Sequence, residues 1–120
     1  MNTHEKGLAG ENAAASYLSQ NGFEIIMRNW RNRFGEIDII AQKDDFLCFI
    51  EVKSLVSGNP EMLAHVLNKN KQKRIIKTAK YFLATYRQYS SRHIRFDVLV
   101  IDTPGFPPVY HIENAFSENE

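Results

Sequence analysis

The chain has 120 residues, 43% of them hydrophobic, and its 15 basic and 14 acidic side chains give a formal charge of +1. That size suits a single domain over residues 1–120, large enough to bury one core and too small for two. The one cysteine, Cys48, excludes an internal disulfide framework and a multi-cysteine zinc site, and its place in an apolar run reads as a buried, inert thiol.

In chain order, Thr3 can cap a first helix that gathers Gly10, Ala14, Tyr17 and Leu18 on one face and stops at Asn21-Gly22. Phe23 to Trp30 reads as a strand, Arg31 to Gly35 as a polar turn, and Glu36 to Ala41 and Phe46 to Lys53 as two further strands. Ser54 to Pro60 is a loop, and Glu61 to Leu67 a short helix. From Lys71 to about Tyr89, Ile75, Ile76, Ala79, Phe82, Leu83 and Tyr86 recur at helical spacing, while Lys73, Lys77 and Lys80 mark another face. Strands at Ile94 to Ile101 and Val109 to Ile112 flank a turn around Thr103 to Pro108, and residues 117–120 form a loose tail. This order, α-β-β-β-α-β-β, predicts an α/β fold with one mixed β-sheet flanked by helices.

No eighteen consecutive residues are apolar, and the first residues lack a charged segment leading into an apolar run with a cleavage site. A cytoplasmic protein with no membrane partner is expected. Charge is unevenly spread: Met62 through Phe96 contains no Asp or Glu and holds nine of the fifteen basic residues. Such a field attracts polyanions, although a solvated helix face has the same composition.

The stretch Gly35 to Lys53, GEIDIIAQKDDFLCFIEVK, has two apolar runs about Asp44-Asp45, yet carries charge where a core belongs. With strict alternation, Glu36, Asp38 and Ile40 share one face and Ile37, Ile39 and Ala41 the other; Leu47, Phe49, Glu51 and Lys53 oppose Cys48, Ile50 and Val52. Both faces are largely apolar, as in a strand buried on two sides. A two-residue turn at Asp44-Asp45 sets Asp38 across from Glu51 and Glu36 across from Lys53. Facing carboxylates repel, and a divalent cation is the economical compensation. Asp38, Glu51 and Lys53 then form a minimal phosphodiester-cleaving set of two hard oxygen ligands and a lysine that meets charge developing on phosphate. A structural cross-strand ion-pair cluster of Glu36, Glu51 and Lys53 is the alternative.

The strings G-E-I-D at Gly35 to Asp38 and F-I-E-V-K at Phe49 to Lys53 resemble the PD-(D/E)xK nuclease signature. With K-G-x-x-G-E-x-x-A-x-x-Y-L from Lys6 to Leu18, R-N-W-R-x-R-F-G-E-I-D from Arg28 to Asp38, K-Q-K-R from Lys71 to Arg74 and R-F-D-V from Arg95 to Val98, the chain resembles the YraN family of small bacterial proteins. The resemblance runs from about Lys6 to Phe116. It implies a restriction-endonuclease-like core related to archaeal Holliday junction resolvases and a Mg²⁺- or Mn²⁺-dependent nuclease site. By that resemblance Asp38 and Glu51 bind the metal, the Val52 carbonyl completes the set, Glu11 is an additional acidic ligand, and Lys53 is the catalytic lysine. After E-V-K, where relatives carry Thr, a basic residue and a Phe-Gly loop, this chain has Ser54, Leu55 and Ser57 to Pro60, so contacts from that loop do not carry over.

Arg28, Arg31 and Arg33 beside Trp30, with Lys71, Lys73, Arg74 and Lys77 of the long helix, are the candidate nucleic-acid contacts. Trp30 also reads as a core residue, Glu11 as a plain helix carboxylate, and Glu36 as a partner of Lys53 or a solvated turn residue. His4, His65, His93 and His111 show no paired metal-ligand spacing and receive no role. The expectation is a Mg²⁺-dependent endonuclease acting on DNA rather than RNA, including branched or structured DNA. The alternatives are a catalytically silent nucleic-acid-binding module and a protein-interaction domain. Junction-resolving relatives imply a homodimer by analogy only.

Overall fold

Central strands that are apolar on both faces need cover on both sides, and the chain supplies it with one helix against each face of a mixed sheet. The computed structural model describes residues 3–55, 61 and 67–118, with side chains from residue 7 onward. Its elements are α1 (Thr3–Gln20), β1 (Glu24–Asn32), β2 (Gly35–Lys43), β3 (Phe46–Lys53), α2 (Lys69–Thr85), a 3₁₀ turn (Arg87–Tyr89), β4 (His93–Ile101) and β5 (Val109–Phe116). The five strands lie in the order β1-β2-β3-β4-β5. Only β3 and β4 run parallel, and α2 lies in the crossover that such a pair requires. The α/β architecture and element order are those predicted, and they are compatible with a restriction-endonuclease-like core.

Two cores fill the sandwich. Ala14 and Leu18 of α1 pack with Ile39, Ala41, Cys48, Ile50, Leu99 and Ile101, while Ala79 and Phe82 of α2 pack with Ile40, Leu47, Phe49, Phe96, Val98 and Val100. Cys48 is fully buried, as expected, and burial first, then the nearby Asp97 charge, pushes its thiol up to about 12. Gly22, at φ +87°, ends α1 by letting the Phe23 N–H return to the Leu18 carbonyl at 2.9 Å.

The β2–β3 pairing is the one a two-residue turn dictates, from Lys43↔Phe46 to Ile39↔Ile50, with Asp44 at φ +54°. Strict alternation fails beyond it. Ile37 shares the α2-side core with Ile40, whereas Ile39 and Ala41 lie in the α1-side core, so sidedness shifts by one near Asp38. Across the ladder Asn29 adopts φ +54°, and Arg28 and Asn29, neighbours in sequence, both reach Glu11 of α1.

The long helix stops four residues short of Tyr89 because Tyr86 leaves the helical region at φ −113°, ψ 75°. Tyr86 and Tyr89 still pack on Phe82, at ring separations of 4.7 and 5.9 Å, which is why the apolar spacing runs on through the 3₁₀ turn. Strand β5 reaches Phe116 instead of Ile112, pairing Phe116 with Phe96 past a register shift between Phe96 and Val98. The capping reading of the Thr3 side chain, and most of the Ser54 to Pro60 loop and the Glu61 to Leu67 helix, lie outside the described residues. No helix among the described residues is long and apolar enough to cross a membrane.

Candidate functional site

The opening of the sheet between β2 and β3 builds the site. Their pairing ends at Ile39↔Ile50, and beyond it the Val52 N–H donates to Asp38 Oδ2 at 2.8 Å. A residue's N–H and C=O leave an extended strand on the same side, so the Val52 carbonyl also faces the β2 side. Glu51 and Lys53, alternate residues of β3, pair at 3.1 Å between Oε1 and Nζ and are largely buried.

Burial, then the Glu51 charge and, more weakly, Glu11 push the Asp38 carboxyl up to about 7, against the opposing pull of the Val52 N–H and Lys53. Asp38, Glu51 and Lys53 thus form one electrostatic unit. Among the described residues, no three or more His, Cys, Asp or Glu side chains converge as a metal cage. The donor set is sparser, two carboxylates and a carbonyl, and suits a hard cation that completes its shell with water and phosphate oxygens. Repulsion between the two carboxylates is what such a cation relieves, so these residues fit Mg²⁺ or Mn²⁺.

Glu11 approaches from α1 because Gly10 is buried against the sheet, where a Cβ would collide with Ile101 Cδ1. Its Oε1 is engaged by Arg28 Nε at 3.0 Å and Asn29 Nδ2 at 2.8 Å, and Arg28 Nη2 also donates to Asn12 Oδ1 at 2.7 Å. Arg28, expected at nucleic acid, is committed to this contact with α1. Glu36 does not reach Lys53. It pairs in the β1 ladder with Arg31 and contacts that guanidinium at 3.3 Å on the surface.

Arg33, Lys71, Lys73, Arg74 and Lys77 are exposed. Trp30 turns inward and meets Phe82 edge-on at 5.4 Å, which favours its reading as a core residue.

The model of the uncharacterised protein family UPF0102, the YraN family, matches residues 10–101. The chain belongs to the YraN family. Its YraN relatives include the UPF0102 protein of Treponema pallidum (strain Nichols), 45% identical over 124 residues covering 98% of each chain. The UPF0102 protein of Treponema denticola is 42% identical across 93% of this chain and 95% of its own. That of Acinetobacter baylyi is 42% identical across 87% of this chain and 74% of its own. The matched YraN span contains Glu11, Asp38, Glu51 and Lys53.

One polar centre of this YraN chain leaves little trace in the sequence. Asp97, fully buried in β4, accepts from Arg95 Nε and Nη2, each at 2.9 Å, and from the Asn114 N–H at 3.0 Å. His111 Nε2 lies 2.7 Å from Asp97 Oδ2, and its Nδ1 lies 3.3 Å from the Tyr17 hydroxyl. Burial alone would raise the Asp97 carboxyl, but the bonds from His111, Arg95 and Asn114 outweigh it and hold it below the usual carboxylate range. The network ties α1, β4 and β5 together, and the R-F-D-V string was its only trace in the sequence.

Proposed function

We propose that this YraN-family chain is a cytoplasmic, Mg²⁺- or Mn²⁺-dependent nuclease that hydrolyses phosphodiester bonds in DNA, with branched or structured DNA as its favoured class. The observation that carries the reading is the Asp38 carboxyl, pushed up to about 7 by burial and by Glu51 beside it. Keeping two repelling carboxylates at the end of a hairpin costs stability and has a use where a cation is to be held. Asp38, Glu51 and the Val52 carbonyl are the groups that would hold it, with Glu11 as an additional acid from α1. When bound, the cation supplies Lewis acidity at the phosphate. Lys53 orients water and meets negative charge developing on the phosphate oxygens. Exposed cations of the acid-free segment, Lys71, Lys73, Arg74 and Lys77, together with Arg33, hold the DNA backbone. A homodimer would present two such sites to two strands; a monomeric mass by light scattering at high concentration would remove that element.

The test is incubation of wild-type protein, Asp38→Ala and Glu51→Ala with linear, single-stranded and four-way-junction DNA in Mg²⁺ or Mn²⁺. Cutting by the wild type alone is expected, and a wild type that cuts none of the three overturns the enzymatic reading. The engagement of Glu11 by Arg28 and Asn29 favours one second reading, a nucleic-acid-binding module of the same fold without turnover. Salt-dependent DNA binding without cutting would single it out.

A further inference from the structure

The tip of the β1–β2 hairpin is docked onto α2 by one small and one large residue. Gly35 lies so close to the helix that a Cβ would sit 3.0 Å from Thr78 Oγ1 and 3.2 Å from Arg74 Cγ. Thr78 is fully buried and its hydroxyl is spent on the Arg74 carbonyl at 2.8 Å, so it has little freedom to retreat. Beside it Phe34, half-buried, stacks on Tyr81 at 4.8 Å. Lys77 Nζ stands 4.1 Å and Arg33 Cζ 4.9 Å from the centre of the Phe34 ring. Arg74, Lys77, Thr78 and Tyr81 recur at three- and four-residue spacing and so line one face of α2. Two cations from different elements are therefore held over one aromatic ring, with Arg74 alongside, while all three stay exposed.

We propose that Phe34 is a positioning residue that organises Arg33 and Lys77 into a fixed clamp for nucleic-acid phosphates flanking the Asp38 and Glu51 site. The proposal rests on the nucleic-acid reading above and adds where the backbone is gripped and what fixes the grip. A ring quadrupole attracts a cation without neutralising it, so Phe34 restrains both side chains and leaves their charge available. An acidic partner would have consumed that charge, as Glu36 does for Arg31. The location fits: Gly35 and Asp38 are three residues apart on one strand, about 10 Å. A strand whose phosphate lies at Asp38 would bring a neighbouring phosphate to the hairpin tip.

The experiment measures binding of labelled duplex and single-stranded DNA by anisotropy in EDTA over a salt series, without turnover. Proteins are wild type, Arg33→Ala/Lys77→Ala, Phe34→Leu and Phe34→Tyr, each checked for a cooperative thermal transition. The double variant is expected to lower the log–log salt slope on duplex by about 1.8, two phosphate contacts' worth. Phe34→Leu, which keeps an apolar tip but loses the ring face, should weaken binding about fivefold or more, and Phe34→Tyr should restore it. Wild-type affinity and slope in Phe34→Leu would overturn the organising role, and an unchanged slope in the double variant would overturn the clamp. Wild-type protein with no salt-dependent DNA binding would remove the underlying nucleic-acid reading and the clamp with it.

Discussion

Asp38→Asn should make the metal-free protein more stable in alkaline solution and leave it unchanged in acid. The folded carboxyl is raised from 3.8 to about 7, so the folded state binds a proton more tightly than the unfolded chain between those values. Stability is therefore lost as pH rises through that window, and the full penalty stands above it. At about 1.4 kcal/mol per unit, the ceiling is about 4 kcal/mol. Residual solvent and relaxation around the carboxylate reduce the gain to about 1–3 kcal/mol. Asparagine keeps an oxygen to accept from the Val52 N–H, so little is lost in exchange. The assay is urea denaturation of both proteins in EDTA at pH 4, 6 and 8. A gap that opens between pH 4 and pH 8 is expected, and Mg²⁺ at pH 8 should narrow it by stabilising only the wild type. Asp38→Asn equal to or less stable than the wild type at pH 8 would refute the electrostatic reasoning.

Asp97→Ala removes the buried carboxylate from Arg95 and His111, leaving Arg95 only the exposed Glu113 at 3.9 Å, and should cost about 3 kcal/mol at pH 7 by urea midpoint. Because the Asp97 carboxyl is depressed, its contribution is present above the usual carboxylate range and fades as pH falls through its folded value, so the variant and wild type should converge in acid. Gly35→Ala forces the hairpin tip off Thr78 and should lower stability by about 1–3 kcal/mol, read by thermal denaturation; an unchanged transition would show that the tip yields freely. Trp30, the only tryptophan, packs on Phe82, so its emission should stay constant when DNA is added, and strong quenching would return it to the binding surface.

The hairpin register was legible because one turn decides it. Asp44-Asp45 interrupts two apolar runs, and a two-residue connection leaves a single pairing. A period-two rule misplaces residues near Asp38 because it assumes an unbroken pleat, whereas Ile37 and Ile39, two apart in β2, face opposite cores. Extending the hairpin register past Ile39↔Ile50, where its pairing ends, sets Glu36 wrongly against Lys53. The helix end was obscured because Tyr89 keeps helical spacing while packing on Phe82 from a 3₁₀ turn. The far end of β5 is hidden by its polar residues: His111 and Asn114 bond to Asp97, 14 and 17 residues away, and Glu113 faces Arg95 at 3.9 Å. Glu11 and Arg28 meet across 17 residues, and no local spacing announces such a contact.

Calorimetric titration of Mn²⁺ and Mg²⁺ into the wild type, Asp38→Ala and Glu51→Ala, each with and without DNA, tests most directly whether the hairpin's paired carboxylates exist to hold a cation. Uptake by the wild type that disappears in both variants, while all three proteins remain folded, is the expected result. A wild type that takes up neither ion, with or without DNA, would contradict it and leave Asp38, Glu51 and Lys53 as a structural cluster.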